Sequence, residues 1–224
     1  MKTRLKGQAS AVTIGLVNPS TNAQHLLSIL ASKSFSLGQF KLSSGATSDY
    51  YIDCRVTTLD ARGSYYIGQA ILELLEANGI QAEAVGGLTM GADPIVSAVA
   101  IATGWRAVEA IQHDRPQPPV LHGFLVRKTE KAHGTGRRIE GFCREGARVV
   151  IVDDVCTTGA STINAIEATR DAGMTVAAVV CIVEREEANG RQAVEAAAAG
   201  APFLRLFTAS DVRAEHIRQT NENT

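Results

Sequence analysis

Of 224 residues only six are proline and four are cysteine, and aromatic side chains make up 5%. Each scarcity excludes something. Low proline without a glycine-rich repeat excludes collagen-like and low-complexity chains. The cysteines, Cys54, Cys143, Cys156 and Cys181, are scattered with no C-x-x-C pair. That argues against a zinc knuckle or a disulfide framework and fits a reducing, cytoplasmic setting. Neither sign of charge prevails: 22 Lys and Arg oppose 23 Asp and Glu, for a net charge of −1. A general nucleic-acid-binding role therefore lacks its electrostatic basis. Long uninterrupted apolar runs are missing too. Ala11–Val17 is broken by Thr13 and Gly15, which is unlike a signal peptide. The apolar window Ala84–Trp105 carries Gly86, Gly87, Gly91, Asp93 and Pro94, so it reads as strand, loop and buried helix rather than a membrane span. Trp105 is expected in the core.

What remains is an ordinary globular composition, 45% hydrophobic and 20% charged, long enough to bury a full core. Residues 1–22 read as a polar lead-in, 23–215 as one domain and 216–224 as a tail. Apolar residues at helical spacing predict helices over Gln24–Ser32, Tyr65–Asn78, Pro94–Thr103, Ala160–Ala172 and Arg191–Gly200. Short β-branched or apolar runs predict strands over Ala82–Val85, Val108–Ile111, Gly123–Val126, Arg148–Val152, Val176–Val183 and Pro202–Thr208. Alternating strands and helices imply an α/β fold with a parallel, doubly wound sheet. Ligands bind such sheets beyond the carboxyl ends of the strands. The notable loops, starting at Gly86, Arg127 and Asp153, each follow a predicted strand.

The densest chemistry lies in residues 149–162, VVIVDDVCTTGAST. Thr157, Thr158, Gly159, Ala160 and Ser161 fall between a strand and a helix, where backbone N–H groups converge on an anion. A simple helix cap would use the same residue types. No lysine accompanies them, which excludes a Walker A loop. Asp153 and Asp154, placed before this cradle, can accept hydrogen bonds from sugar hydroxyls, directly or through Mg²⁺ and its waters. Together the two halves suit a ribose 5-phosphate. The stretch resembles the phosphoribosyl-pyrophosphate (PRPP) motif of type I phosphoribosyltransferases, which implies a parallel sheet under a small hood, expected from segments about 23–60 and 185–215.

Three further stretches narrow the resemblance to orotate phosphoribosyltransferases. Residues 127–134, RKTEKAHG, are similar to the R-K-x-x-K-x-H-G loop that closes over pyrophosphate in that family, partly across a dimer interface. Arg127, Lys128, Lys131 and His133 would then be catalytic and PRPP-binding residues, and a homodimer with loop 127–141 reaching the neighbouring site is implied. Physically, a departing pyrophosphate needs such cations, and a closing loop excludes water. A solvated basic loop has the same composition. FKLSSGATSDYYIDCR, residues 40–55, resembles the family's segment beside the orotate ring, which places Tyr51 and Ile52 at the base. Val183-Glu184-Arg185 matches the strand end whose arginine binds the orotate carboxylate, and Thr157 falls where a threonine touches orotate. The alternative for Arg185 is an ion pair with Glu184, Glu186 or Glu187.

Two departures from the family pattern stand out. Ser43 replaces a frequent lysine, and GGLTMGADP offers Thr89 and Met90 where Tyr-Lys is common, leaving the Thr89 hydroxyl and the loop amides for PRPP. The implied reaction is attack of orotate N1 on C1 of PRPP with Mg²⁺ as cofactor, giving orotidine 5′-monophosphate and pyrophosphate. Transfer to another base, or a PRPP-sensing regulator on the same fold, are the alternative readings.

Overall fold

The structure is a computed structural model that describes residues 20–41, 47–129 and 138–222. It opens with helix α1 (Thr21–Ile29), capped by the Ser20 hydroxyl, which accepts from the Ala23 amide at 3.2 Å. A π-helical turn, Leu30–Ser34, leads into an antiparallel hairpin, β1 (Phe35–Lys41) and β2 (Thr47–Ile52). The short helix α2 (Arg55–Thr58) follows, then α3 (Ala61–Ala77). Asp60 caps α3 by accepting from the amides of Arg62 and Gly63 at 3.1 and 3.0 Å. Capping of this kind gives an aspartate a structural reason to precede an apolar periodic run.

The chain then alternates: β3 (Ala84–Leu88), α4 (Asp93–Gln112), β4 (His122–Val126), β5 (Ile139–Gly141), β6 (Arg148–Cys156), α5 (Ala160–Asp171) and β7 (Thr175–Glu184). It closes with α6 (Gly190–Ala198), β8 (Phe203–Thr208) and α7 (Ala209–Glu222). The main sheet has the order β5-β4-β3-β6-β7-β8, parallel except for β5, which runs antiparallel to β4. From β3 the chain winds outward to β4. It then crosses back over β3 to β6 and continues the other way to β8. The reversal falls between β3 and β6, the place where a doubly wound sheet opens a crevice at its carboxyl edge. Apolar side chains fill both faces of the sheet. One cluster joins Val150, Val152, Val180 and Ile182 to α3, α4 and the hairpin; the other joins Val149, Ile151 and Val179 to α5 and α6.

Several expectations are corrected. Val108–Ile111 is no strand but the end of α4, a helix with Pro94 in its first turn. By length and hydropathy α4 could cross a membrane; here it packs against β3, β4 and α3. Trp105 is not in the core: on the outer face of α4 it is 70% exposed. The segment 216–224 is not a tail through residue 222, because α7 continues to Glu222. His216 of α7 bonds the Ala31 carbonyl at 2.8 Å, and Gln219 donates to Ser28. The hood therefore consists of α1, the hairpin, α2 and α7. Residues 203–208 belong to the main sheet instead, where β8 is an edge strand.

Candidate active site

Asp153 and Asp154 stand within β6, not after it, so their side chains leave opposite faces of the sheet. Asp153 turns toward α5 and is buried. Its Oδ2 accepts from the Thr162 hydroxyl at 2.6 Å and its Oδ1 from the Asp154 amide at 3.1 Å. Burial pushes its carboxyl up, and the neighbouring Asp154 charge adds to the rise while the Thr162 bond opposes it. Asp154 faces the crevice. A Cβ on Gly91 would come within 2.9 Å of its Oδ1, so the loop after β3 runs directly against this carboxylate. From the hood side the buried Cys54 lies near the same acids: burial first, then Asp154, Asp53 and Asp153, raise its thiol. The hood, the β3 loop and the β6 strand end thus meet at Asp154.

Beyond β6 the turn Thr157–Gly159 feeds α5, and Gly159 at its N-cap holds φ at 77°, a conformation that favours glycine. Among the described residues, the amides of Thr157 to Ser161 donate to no backbone carbonyl. No side chain caps α5 either. Free amides at the positive end of a helix form a receptor for a doubly charged phosphate. The turn is held from below, where a Cβ on Gly190 would lie 2.0 Å from the Thr157 carbonyl oxygen and 2.8 Å from the Gly159 nitrogen. Helix α6 can therefore press its first residue against the cradle only as glycine.

Arg185 follows β7 beside this turn, its amide donating to the Cys156 carbonyl at 2.9 Å. The residue is buried, with its guanidinium over the Tyr50 ring, 4.6 Å from the centroid. Nε donates to Tyr50 Oη and to Glu187 Oε1, both at 3.0 Å; Nη2 donates to Glu187 Oε1 at 2.9 Å and Ser48 Oγ at 3.3 Å. Tyr50 also donates its hydroxyl to Glu187. Burial and that bond push the Tyr50 phenol up to about 12, so it remains a donor across the neutral range. The ion-pair alternative for Arg185 is thus realised with Glu187, while Glu184 is taken by Arg191 and Arg205 at 3.2 and 2.5 Å.

The remaining predicted residues divide. Tyr51 and Ile52 are neighbours on β2 and point to opposite faces, Tyr51 exposed and Ile52 buried. Thr89 has both donors engaged: its hydroxyl bonds Asp93 Oδ2 at 2.8 Å and its amide the Val126 carbonyl at 2.9 Å. The Thr89–Met90 peptide bond is cis. Arg127 and Lys128 are exposed at the same carboxyl edge, with Arg127 Nε bonded to Glu140 Oε1 at 2.9 Å. Lys131, His133 and Ser43 lie outside the described residues. Thr157 is half-buried, whereas Thr158, Ala160 and Ser161 are exposed to the crevice mouth. A separate cavity of about 500 Å³ opens at the other end of the sheet, lined by Leu72, Leu75, Arg106, Leu121 and Arg148. None of the candidate residues lines it.

Sequence reasoning missed Tyr50, Ser48 and Gly190, and it missed the bond of Thr162 to Asp153 and the bond of Glu187 to Tyr50. Thr162 and Gly190 have no local signal, since their roles depend on contacts with Asp153 and Thr157. Tyr50 and Ser48 carried one: strand alternation puts both on the buried face with Ile52.

Similarity to known proteins agrees with this geometry. Residues 126–196 match the phosphoribosyl transferase domain family. The orotate phosphoribosyltransferase of Streptomyces coelicolor is 41% identical over 182 residues, 81% of this chain and 92% of that protein. The chain belongs to the orotate phosphoribosyltransferases. The enzyme of that name from Aquifex aeolicus is likewise 41% identical, over 77% of this chain and 86% of its own length. Among solved structures, the Mycobacterium tuberculosis orotate phosphoribosyltransferase with Fe(III) dicitrate superposes with a TM-score of 0.69 at 34% identity, covering 85% of this chain and 98% of that one. The same enzyme in complex with PRPP gives a TM-score of 0.65 at 31% identity over the same shares of the two chains.

Proposed function

We propose that this orotate phosphoribosyltransferase transfers the 5-phosphoribosyl group of PRPP to N1 of orotate, the phosphoribosyl step of pyrimidine synthesis. The observation that supports it best is the switch-point crevice, where Asp154 borders a cradle of uncommitted amides and a buried arginine lies one strand away. The 5-phosphate sits on the amides of Thr157 to Ser161, and Asp154 accepts from the ribose hydroxyls. Asp153, already holding Thr162, retains lone pairs for a further hydroxyl. These contacts fix C1 between the base and the leaving group. Orotate is an anion with an acidic ring N–H, so no strong protein base is required. Positive charge gathers on the ribosyl carbon as the C1–O bond lengthens, and negative charge gathers on pyrophosphate. Arg127, Lys128, Lys131 and His133 neutralise the second.

Among the described residues no cluster of three His, Cys, Asp or Glu side chains could hold a metal. The chain would fit Mg²⁺ in one way only: substrate oxygens would supply most of its ligands, and Asp153 and Asp154 would act through water. The ion would supply charge neutralisation on the pyrophosphate.

The protein acts as a homodimer in this reading. Ile101, Trp105, Val108 and Ile111 form an exposed apolar stripe on α4, the kind of face that a second subunit covers. Loop 127–141 would then reach the neighbouring site.

Orotate consumption followed spectrophotometrically, with PRPP and Mg²⁺ omitted in turn, tests the assignment. Orotate should disappear only when both are present; unchanged orotate in the complete mixture refutes it. Lys131→Ala should lower kcat by roughly a hundredfold, the scale of one lost transition-state cation.

A further inference from the structure

The guanidinium of Arg185 already holds an anion. A carboxylate binds arginine with two oxygens along one edge, and each edge here has a prior occupant. Glu187 Oε1 spans the Nε–Nη2 edge at 3.0 and 2.9 Å, and the second hydrogen of Nη2 turns to Ser48 Oγ at 3.3 Å. Only Nη1 is without a hydrogen-bond partner among the described residues. Mobility is unequal across the pair. Arg185 is buried and pinned by the Tyr50 ring, its side chain 10% exposed, whereas the Glu187 side chain is 52% exposed. Glu187 sits in a single 3-10 turn, Glu186–Ala188, from which its carboxylate can swing into water.

We propose that Glu187 is a built-in competitor for the substrate carboxylate: it occupies the Arg185 fork in the empty site and is displaced when orotate binds. This rests on the reading that Arg185 receives the orotate carboxylate. Its consequence is selectivity. A pyrimidine carrying a carboxylate restores the negative partner that Arg185 loses when Glu187 leaves. A neutral pyrimidine does not, so the internal pair stays closed against it. Glu187 thereby sets orotate affinity without touching the reacting atoms. Tyr50, which bonds both members of the pair, positions the guanidinium through the exchange.

Steady-state kinetics of Glu187→Gln give a sign that structural damage cannot mimic. The glutamine keeps the shape and an acceptor for Arg185 but removes the competing charge. The orotate KM should fall about two- to fivefold, the value of a half-exposed ion pair. The PRPP KM and kcat should stay near wild type, and Glu187→Asp should restore the higher orotate KM. Glu187→Ala, a second variant at this exposed site, should move the orotate KM in the same direction. An orotate KM that is unchanged or raised in both neutral variants overturns the proposal. Arg185→Ala separates the two levels: it should raise the orotate KM more than about tenfold. If it does not, the carboxylate assignment itself fails, whatever Glu187 does.

Discussion

At the scale of single residues, the acidic pair shows how two adjacent, identical side chains acquire different work. Strand alternation sends Asp154 toward the crevice and Asp153 under α5, where its oxygens take the Thr162 hydroxyl and the Asp154 amide. Burial and the adjacent charge raise the Asp153 carboxyl. An acid with a raised folded value contributes stability that is fully present below the ordinary carboxylate range. That contribution is lost as pH rises through the raised value. Asp153→Asn removes this loss. Its amide can accept from the Asp154 N–H and donate to the Thr162 oxygen, so Tm at neutral pH should rise by roughly 2–4 °C, about 1 kcal/mol for a chain of this size. The PRPP KM should rise at the same time. Thermal melts at pH 4 and pH 7.5 check the sign, since the gain should vanish in acid.

At the scale of elements, the phosphate cradle is a product of packing between α5 and α6 rather than of its own sequence alone. Gly190 lets the start of α6 approach the Thr157 carbonyl so closely that a methyl group would lie 2.0 Å from it. Gly190→Ala must therefore push the turn away. Small displacements of a positioned charge receptor are costly, so kcat/KM for PRPP should drop roughly ten- to a hundredfold. The overpacking should also cost about 1–3 kcal/mol of stability, measurable by urea denaturation. Gly104→Ala in α4, where nothing lies within 4 Å and the backbone is ordinary helix, serves as the comparison and should not disturb PRPP. Helix α4 makes a related point. Its length and β-branched residues divided it, on sequence, into a helix and a strand. The helix continues because its inner face, Ile95, Val99 and Ala102, stays in register with the core.

At the scale of the whole molecule, the exposed stripe on α4 should decide assembly. Trp105→Glu should convert the proposed dimer to monomers in sedimentation at micromolar concentration, and activity should fall with it if loop 127–141 serves the neighbouring site. The sequence by itself determined the parallel sheet and the position of the acidic pair, of the 157–161 turn and of Arg185 at the carboxyl ends of their strands. Each of these is written in a short contiguous stretch with local periodicity or turn chemistry, and local chemistry needs no knowledge of distant partners. The separate faces of Tyr51 and Ile52 were also legible in alternation once β2 was known to be a strand. Only the tertiary structure decided that Asp153 serves Thr162, that Gly190 supports Thr157, and that Thr89 spends its hydroxyl on Asp93. It alone joined Tyr50 and Ser48, in the hood, to Arg185 more than a hundred residues later. It also extended α7 through Glu222, because His216 and Gln219 find carbonyls near the start of the chain. The joins of Tyr50 and Ser48 to Arg185, of Gly190 to Thr157 and of α7 to α1 depend on which distant surfaces the fold brings face to face, and such long-range contacts leave no periodic trace in the residues that make them. Thr89–Asp93 and Asp153–Thr162 are close in sequence, but which way their side chains turn is set by the strand ends and helices around them.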